Sequence, residues 1–80
     1  MKKIITLHDL PLGKTAIIKE IRNEPDLRIR LTELGFSRGA AVRALQRSPS
    51  GDPVAYEIKG TVIALRAGET RQILVELEVV

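Results

Sequence analysis

The chain has 80 residues, one histidine and no cysteine, so it predicts a single small domain (residues 1–80) without disulfides or thiolate metal sites. Its formal net charge is +3, and arginines concentrated between Arg22 and Arg47 can attract an acidic protein face or a nucleic acid. The apolar runs are far shorter than the ~20 residues that cross a bilayer, and the N-terminal run ends at His8-Asp9, too early for a signal peptide. We therefore expect a soluble, unprocessed, cytoplasmic protein without membrane insertion.

The first predicted element is a bent strand. Residues 9–13 form a turn, because proline fixes one backbone angle and glycine permits a positive one. Residues 14–22 then read as a strand whose apolar positions have a period of two that slips by one residue. That slip predicts a bulge between Ile18 and Glu20, of the kind that a small barrel needs in order to bend.

A short helix is predicted next, over about residues 26–34. Asn23 or Asp26 is the candidate cap, and Pro25 suits the first turn of a helix. Gly35 stands just after the last helical residue, where helices commonly end in a left-handed backbone conformation. The sequence therefore gives this helix a defined start and a defined end.

The second half of the chain is rich in strands. We predict strands at residues 40–46, 54–58, 61–65 and 73–80. A cluster of turn-forming residues at 47–53 predicts a hairpin loop, and Lys59-Gly60 predicts a tight two-residue hairpin. Residues 66–70 have the composition of a single helical turn.

These elements indicate a mainly β protein, a small SH3-like barrel of about five strands with one short inserted α-helix. An OB-type barrel is the structural alternative, but the short chain and the tight Lys59-Gly60 hairpin favour the smaller barrel. We expect the strands to close on one another, which would remove exposed sheet edges.

The residue types of catalytic and metal sites do not form convincing patterns. Gly13-Lys14-Thr15 resembles the end of a phosphate-binding loop, but His8 occupies the position of that motif's first glycine and a strand follows instead of a helix. His8 is a lone histidine in a turn, so at most a weak metal contact is expected there. Glu76 and Glu78 share one face of a strand with Leu74 and Val80 and are expected to face solvent. We predict no enzymatic activity, no cofactor, and no catalytic or metal-binding residues.

Nucleic-acid binding by stacking is also not expected. Barrels that bind single strands use aromatic side chains as platforms for the bases. Phe36 and Tyr56 are the only aromatic residues, and they lie on different predicted elements. Phe36 is expected to be buried and the Tyr56 ring to lie in the core or at the barrel rim, so contacts to phosphates alone are the remaining route to a nucleic acid.

The predicted helix carries the best candidate for a binding surface. Its stripe of Leu27, Leu31 and Leu34 is expected mostly to pack the helix onto the barrel. Leu10, Leu12 and Ile29 are additional apolar residues, and some of them must lie near the surface. A cleft between helix and barrel, with arginines at its rim, would suit a peptide or a protein partner. The rim arginines are Arg28, Arg30 and Arg38.

Several segments, in this order and spacing, resemble the FeoA family over nearly the whole chain. They are Leu10-Pro11-Leu12-Gly13 with Ala16 and Ile18, Arg30-Leu31, Glu33-Leu34-Gly35-Phe36, Gly39, Gly51-Asp52-Pro53, Gly60, Ala64-Leu65-Arg66, Ile73 and Val75. Thr70 departs from the family pattern, which has a small alanine after the acidic residue of the last turn. A threonine is compatible with that turn, so the departure concerns local detail.

The resemblance implies an SH3-like barrel with an inserted helix and a non-enzymatic accessory role in bacterial ferrous iron uptake. The implied partner is the cytoplasmic side of the FeoB transporter, whose Fe(II) transport or GTPase cycle the chain would modulate. The residues expected to bind this partner are Arg28, Arg30, Leu31, Leu34, Arg38 and Arg66. The residues expected to be structural are Gly35, Phe36, Gly39 and Gly60. The alternative is a free-standing SH3-like module that binds a peptide or a nucleic acid.

Overall fold

One antiparallel sheet of six strands, in the order β1-β6-β2-β3-β4-β5, organises the computed structural model, which describes residues 1–79. The strands are β1 (Lys2–Thr6), β2 (Thr15–Ile21), β3 (Ala41–Arg47), β4 (Val54–Ile58), β5 (Thr61–Leu65) and β6 (Ile73–Glu78). The helices are α1 (Pro25–Glu33) and the short α2 (Ala67–Thr70), and a 3-10 turn spans Leu7–Asp9. The predicted mainly β fold with one inserted helix is confirmed. Val80, predicted to end the last strand, lies outside the described residues.

The strand β1 was not among the predicted strands. It pairs with β6 in an unbroken antiparallel register from Lys2 opposite Glu78 to Thr6 opposite Leu74. Its two lysines obscure the alternating pattern, so only the long-range partner identifies it as a strand. The sheet therefore has six strands where the sequence predicted about five.

Two register shifts bend the sheet around its core. The predicted bulge is confirmed, because the pairing of β2 with β6 shifts between Ile18 and Glu20. A second shift, between Ala44 and Gln46 on β3, was not predicted. Each extra residue increases the local twist of its strand, which allows the sheet to curl over its own apolar face.

The core lies on the concave side of this sheet. Phe36 is buried, as predicted, and Tyr56 lies in the core and not at the rim. From α1, Leu31 is buried in this core and the partly buried Leu27 packs against it. The other buried apolar side chains come from every strand except β1 and from the first turn: Leu7, Leu10, Ala16, Ile18, Val42, Ala44, Val54, Ile58, Leu65, Ile73 and Val75. Removing this apolar surface from water is the main favourable contribution to folding.

The predicted tight hairpin at Lys59-Gly60 joins β4 to β5. Lys59 has φ 48° and Gly60 has φ 78°, so both central residues are in the left-handed region that a type I′ turn requires. The turn places Ile58 opposite Thr61 and so sets the register between the strands β4 and β5.

The expectation that the strands would close completely is wrong. Among residues 1–79, β1 pairs only with β6 and β5 pairs only with β4, so the sheet keeps two edges. The helix α1, in the connection between β2 and β3, packs its Leu31 into the core and lies beside the β5 edge.

A candidate partner-binding groove between the helix and the sheet edge

The start of α1 is held by a tether and not by a side-chain cap. Glu24 is the N-cap residue and its side chain makes no capping bond, so the prediction of Asn23 or Asp26 as the cap is wrong. Asn23 is buried instead, and its Nδ2 donates a hydrogen bond to the carbonyl oxygen of Glu69 at 3.1 Å. Pro25 occupies the first turn, as predicted. The tether fixes the start of α1 relative to α2.

The end of α1 is a Schellman motif built on Gly35. This glycine has φ 109°, its N–H donates to the Thr32 carbonyl at 3.0 Å, and the Phe36 N–H donates to the Leu31 carbonyl at 2.8 Å. These two bonds satisfy carbonyls that would otherwise be unpaired at the helix end. Because Phe36 is fully buried, the motif locks the helix exit to the core.

A groove of about 200 Å³ lies between α1 and the strand β5. Its α1 wall includes Arg30, Leu31 and Leu34, three of the six residues predicted to bind a partner. Leu27 extends this wall, and the opposite wall consists of Ile63, Ala64, Leu65 and Glu69. The predicted cleft between helix and barrel therefore exists, with Arg30 at its side.

The groove continues into exposed apolar surface. Leu34 is 45% exposed, whereas Leu31 is 1% exposed and forms the buried floor. Ile29, on α1, is 59% exposed. Of the predicted leucine stripe, only Leu31 is fully buried. The sequence interpretation overlooked Ile63 and Leu65 on the β5 wall, although the absence of charge from β5 was a usable signal. Val62 is 60% exposed, but it points to the opposite face of the sheet and does not line the groove.

The arginines of α1 are free to meet an acidic partner. Neither Arg28 nor Arg30 has a carboxylate within ion-pair distance among residues 1–79. Arg28 lies beside Ile29 on the adjoining face of the helix, outside the groove itself. Exposed arginines beside the exposed apolar side chains of Leu34 and Ile29 are typical of protein-binding surfaces, in which arginine is enriched.

Arg38 and Arg66, the other two arginines predicted to bind a partner, lie outside the groove. Arg66 forms an ion pair with Asp52 at 3.7 Å, and that carboxylate also accepts the Ala67 N–H at 2.9 Å, so Arg66 takes part in the start of α2. Arg38 lies near Glu20. The pKa of Glu20 is lowered by its hydrogen bond and ion pair with Arg22 at 2.9 Å, and further by the charge of Arg38.

Gly39 and Thr70 each make a hydrogen bond that stabilises the local backbone. Gly39 donates its N–H to the Ile18 carbonyl at 2.8 Å, at the bulge of β2. Thr70 is buried, and its hydroxyl donates to the Ala67 carbonyl at 3.4 Å within α2. The departure at Thr70 is therefore accommodated by a local hydrogen bond of the kind that threonine commonly makes inside a helix.

The part of the chain that the structure describes offers few groups for metal binding or acid–base chemistry. No group of three or more His, Cys, Asp and Glu side chains within residues 1–79 is arranged to hold a metal ion. His8 is half-buried in the 3-10 turn. Glu76 lies within 3.6 Å of Lys2 and 3.8 Å of Lys19, so it belongs to surface ion pairs. None of the described helices has the length and apolar character of a membrane span.

Comparison with known proteins identifies the family. The model of the FeoA domain matches residues 5–77. The chain belongs to the FeoA family. A protein of Porphyromonas gingivalis, an Fe(2+) transport protein A/Fe(2+) transporter FeoB fusion, is 34% identical over 71 residues, which cover 89% of this chain. The chain corresponds to only 8% of the length of that fusion protein.

Two solved FeoA structures confirm the fold. The solution structure of FeoA from Chlorobium tepidum has a TM-score of 0.88 and 32% identity, and the match covers 94% of this chain and 71% of that one. The crystal structure of Stenotrophomonas maltophilia FeoA complexed with zinc has a TM-score of 0.79 and 32% identity, covering 89% of this chain and 88% of that one. That protein is described as a procaryotic SH3 domain protein with a suggested role as a ferrous iron transport activating factor.

Proposed function

We propose that this chain is a non-enzymatic accessory protein of bacterial ferrous iron uptake. It binds the cytoplasmic side of a FeoB-type transporter and modulates Fe(II) transport or the transporter's GTPase cycle. The observation that carries this proposal is the Porphyromonas gingivalis relative, in which a domain similar to 89% of this chain is fused to the transporter. A fusion keeps two domains at a high effective concentration, and a separate chain needs a binding surface to achieve the same association.

The groove between α1 and β5 is the surface that we assign to this contact. Leu34 offers exposed apolar area beside the buried floor of Leu31, and Arg30 offers unpaired charge. Arg28 adds a second cation on the adjoining face of α1. Such a combination of an apolar centre and cationic flanks gives affinity through burial and orientation through charge. Arg38 and Arg66 lie apart from the groove and would contribute only at the margin of a larger interface.

Modulation would arise from differential binding. A partner that binds one nucleotide state of the transporter more tightly than another increases the population of the preferred state. A tenfold preference corresponds to about 1.4 kcal/mol. This is enough to make one of two equally populated states of the transporter the dominant one. This mechanism needs no catalytic group on the accessory protein.

The test is calorimetric titration of the chain into full-length, detergent-solubilised FeoB-type transporter of the same organism. The titration is done with a GTP analogue, with GDP and without nucleotide. State-dependent binding supports modulation, and equal binding in all three supports a docking role only. Absence of binding in every state, with both proteins folded, contradicts the proposal and favours a free-standing module that binds peptide or nucleic acid.

A charge-reversing substitution of Arg30 tests whether the partner binds at the groove. Arg30→Glu should leave the fold intact, because Arg30 is exposed and has no ion pair in the described structure, and it should weaken binding. The matched control is Lys3→Glu, which changes the net charge equally on β1 at the opposite edge of the sheet. Equal weakening by both variants would mean that only overall charge matters and would contradict the assignment to the groove.

A further inference from the structure

The outer edge of β5 carries free backbone hydrogen-bonding groups. In a two-residue hairpin the flanking pair Ile58 and Thr61 is hydrogen-bonded, and bonded and non-bonded pairs then alternate along the ladder. Val62 and Ala64 occupy the non-bonded positions, so their N–H and C=O groups point away from β4. No backbone hydrogen bond outside the strand ladders and helices involves Val62 or Ala64 within residues 1–79.

Apart from α1, which lies beside it across the groove, this edge lacks the features that usually protect a strand from pairing with another chain. Its sequence is Thr-Val-Ile-Ala-Leu, without a charge or a proline, and its register with β4 has no bulge. Natural sheet edges are commonly protected by lysines, prolines or bulges. The other edge of this sheet, β1, begins with Lys2-Lys3. The chain therefore protects one edge with charge, whereas β5 has α1 beside it only across the groove.

The groove lies along this unprotected edge. Ile63, Ala64 and Leu65 form one of its walls, and Leu27 and Leu34 on α1 lie across from them. A strand added beside β5 would point alternate side chains toward opposite faces of the sheet. Apolar side chains on one face of that strand would meet the leucines of α1.

Charge favours an acidic occupant. Arg30 lines the groove, Arg28 lies on the adjoining face of α1, and Lys59 stands at the hairpin that begins β5. None of the three has an ion-pair partner among the described residues. The acidic residue of the groove, Glu69, accepts the backbone N–H of Arg66 at 2.9 Å, so its carboxylate is directed to the start of α2. A second copy of this chain, with net charge +3, is a less suitable occupant than an acidic segment.

We propose that β5 binds its partner by strand addition. An extended segment of the partner pairs with Val62 and Ala64, and its side chains on the face toward α1 are apolar residues against the leucines and an acidic residue near Arg30. This inference rests on the proposed function, since the partner is the FeoB-type transporter. Main-chain hydrogen bonds supply affinity in this mode, and side chains supply specificity.

Hydrogen–deuterium exchange of the full chain, alone and bound to the detergent-solubilised transporter, tests the pairing. The amides of Thr61, Ile63 and Leu65 are already protected by β4, so strand addition should slow roughly two further amides in peptides spanning β5. Binding that leaves exchange in β5 unchanged overturns strand addition but not the proposed function. Absence of binding overturns both. Concentration-dependent protection of β5 without transporter would identify a second copy as the occupant and overturn the acidic partner.

A matched pair of variants gives an independent test. Val62→Pro removes an outward N–H that makes no ladder bond, so the edge strand should tolerate it, and Val62→Thr keeps the N–H and the branched shape. Val62→Pro should bind the transporter roughly tenfold more weakly, because a backbone hydrogen bond is lost and the ring obstructs the added strand. Val62→Thr should bind within about twofold of the unmodified chain. Equal affinity of the two folded variants contradicts strand addition, and if Val62→Pro fails to fold, the exchange experiment decides.

Discussion

Replacing Gly35 by alanine should destabilise the domain through the backbone alone. Gly35 has φ 109°, a conformation that residues with a Cβ rarely adopt. A Cβ built there would lie 3.4 Å from Lys59 Cδ and 3.7 Å from Ile58 Cγ1, which are ordinary contact distances. Steric overlap with other side chains therefore contributes little. The expected cost is the strain of the left-handed region, ~1–2 kcal/mol.

That cost is large for a domain of this size. A loss of 1 kcal/mol lowers the Tm of a 60–100-residue domain by roughly 4–8 °C, so Gly35→Ala should lower it by roughly 4–16 °C. Urea unfolding followed by circular dichroism should show a lower midpoint with an unchanged slope, because the surface exposed on unfolding stays the same.

Gly68→Ala is the matched control. Gly68 lies inside α2 without a positive φ, and a Cβ there would meet no atom within 4 Å. Alanine is the better helix former by up to ~1 kcal/mol, so this variant should be as stable as the unmodified chain or more stable. If Gly35→Ala unfolds at the same midpoint as Gly68→Ala, the Schellman motif does not hold the helix exit in the way described.

Three further predictions concern individual side chains. Leu31→Ala should lose ~2–5 kcal/mol because Leu31 is fully buried, whereas Leu34→Ala should lose less than ~1 kcal/mol in the same urea unfolding assay; equal losses would contradict their assignment to floor and surface. Burial raises the pKa of Tyr56, so stability should hold below the unfolded tyrosine value of about 10 and fall as pH rises toward the raised pKa. Tyr56→Phe should lack this fall, and the tyrosinate absorbance of this single tyrosine should appear at higher pH in the folded chain than in urea. Glu76→Gln should cost less than ~1 kcal/mol in unfolding experiments and reduce their salt dependence, because its two ion pairs are at the surface.

The features that follow from neighbouring residues were predictable from the sequence. The slip in apolar period located the bulge at Ile18–Glu20, Lys59-Gly60 gave the hairpin, and Gly35 gave the end of the helix. Each of these depends on the φ and ψ preferences of a few residues or on the alternation of side chains along one strand. Such preferences act regardless of what the rest of the chain does.

The features that depend on distant residues were not predictable in this way. The strand β1 is defined by β6, at the other end of the chain, and its Lys2 lies opposite Glu78. Asn23 was a reasonable cap by residue type, but a bond to Glu69 on α2 competes successfully for its side chain. Arg66 follows β5 directly, yet an ion pair with Asp52 takes it away from the groove. In each case a tertiary contact, and not the local sequence, determines the position of the segment or side chain.

The open edge of β5 can persist in a domain this small because the stabilising contacts lie on its other sides. Leu65 points into the core and the Ile58–Thr61 pair fixes the hairpin, so β5 remains ordered without a second neighbouring strand. The Schellman motif at Gly35 and the Asn23 tether hold α1 at both ends, which keeps the helix beside this edge without burying Leu34. The groove is therefore largely formed before a partner arrives, and binding would cost little ordering of this chain. A domain stabilised in this way can present unpaired backbone groups, exposed leucine and free arginine on one side while its core remains intact.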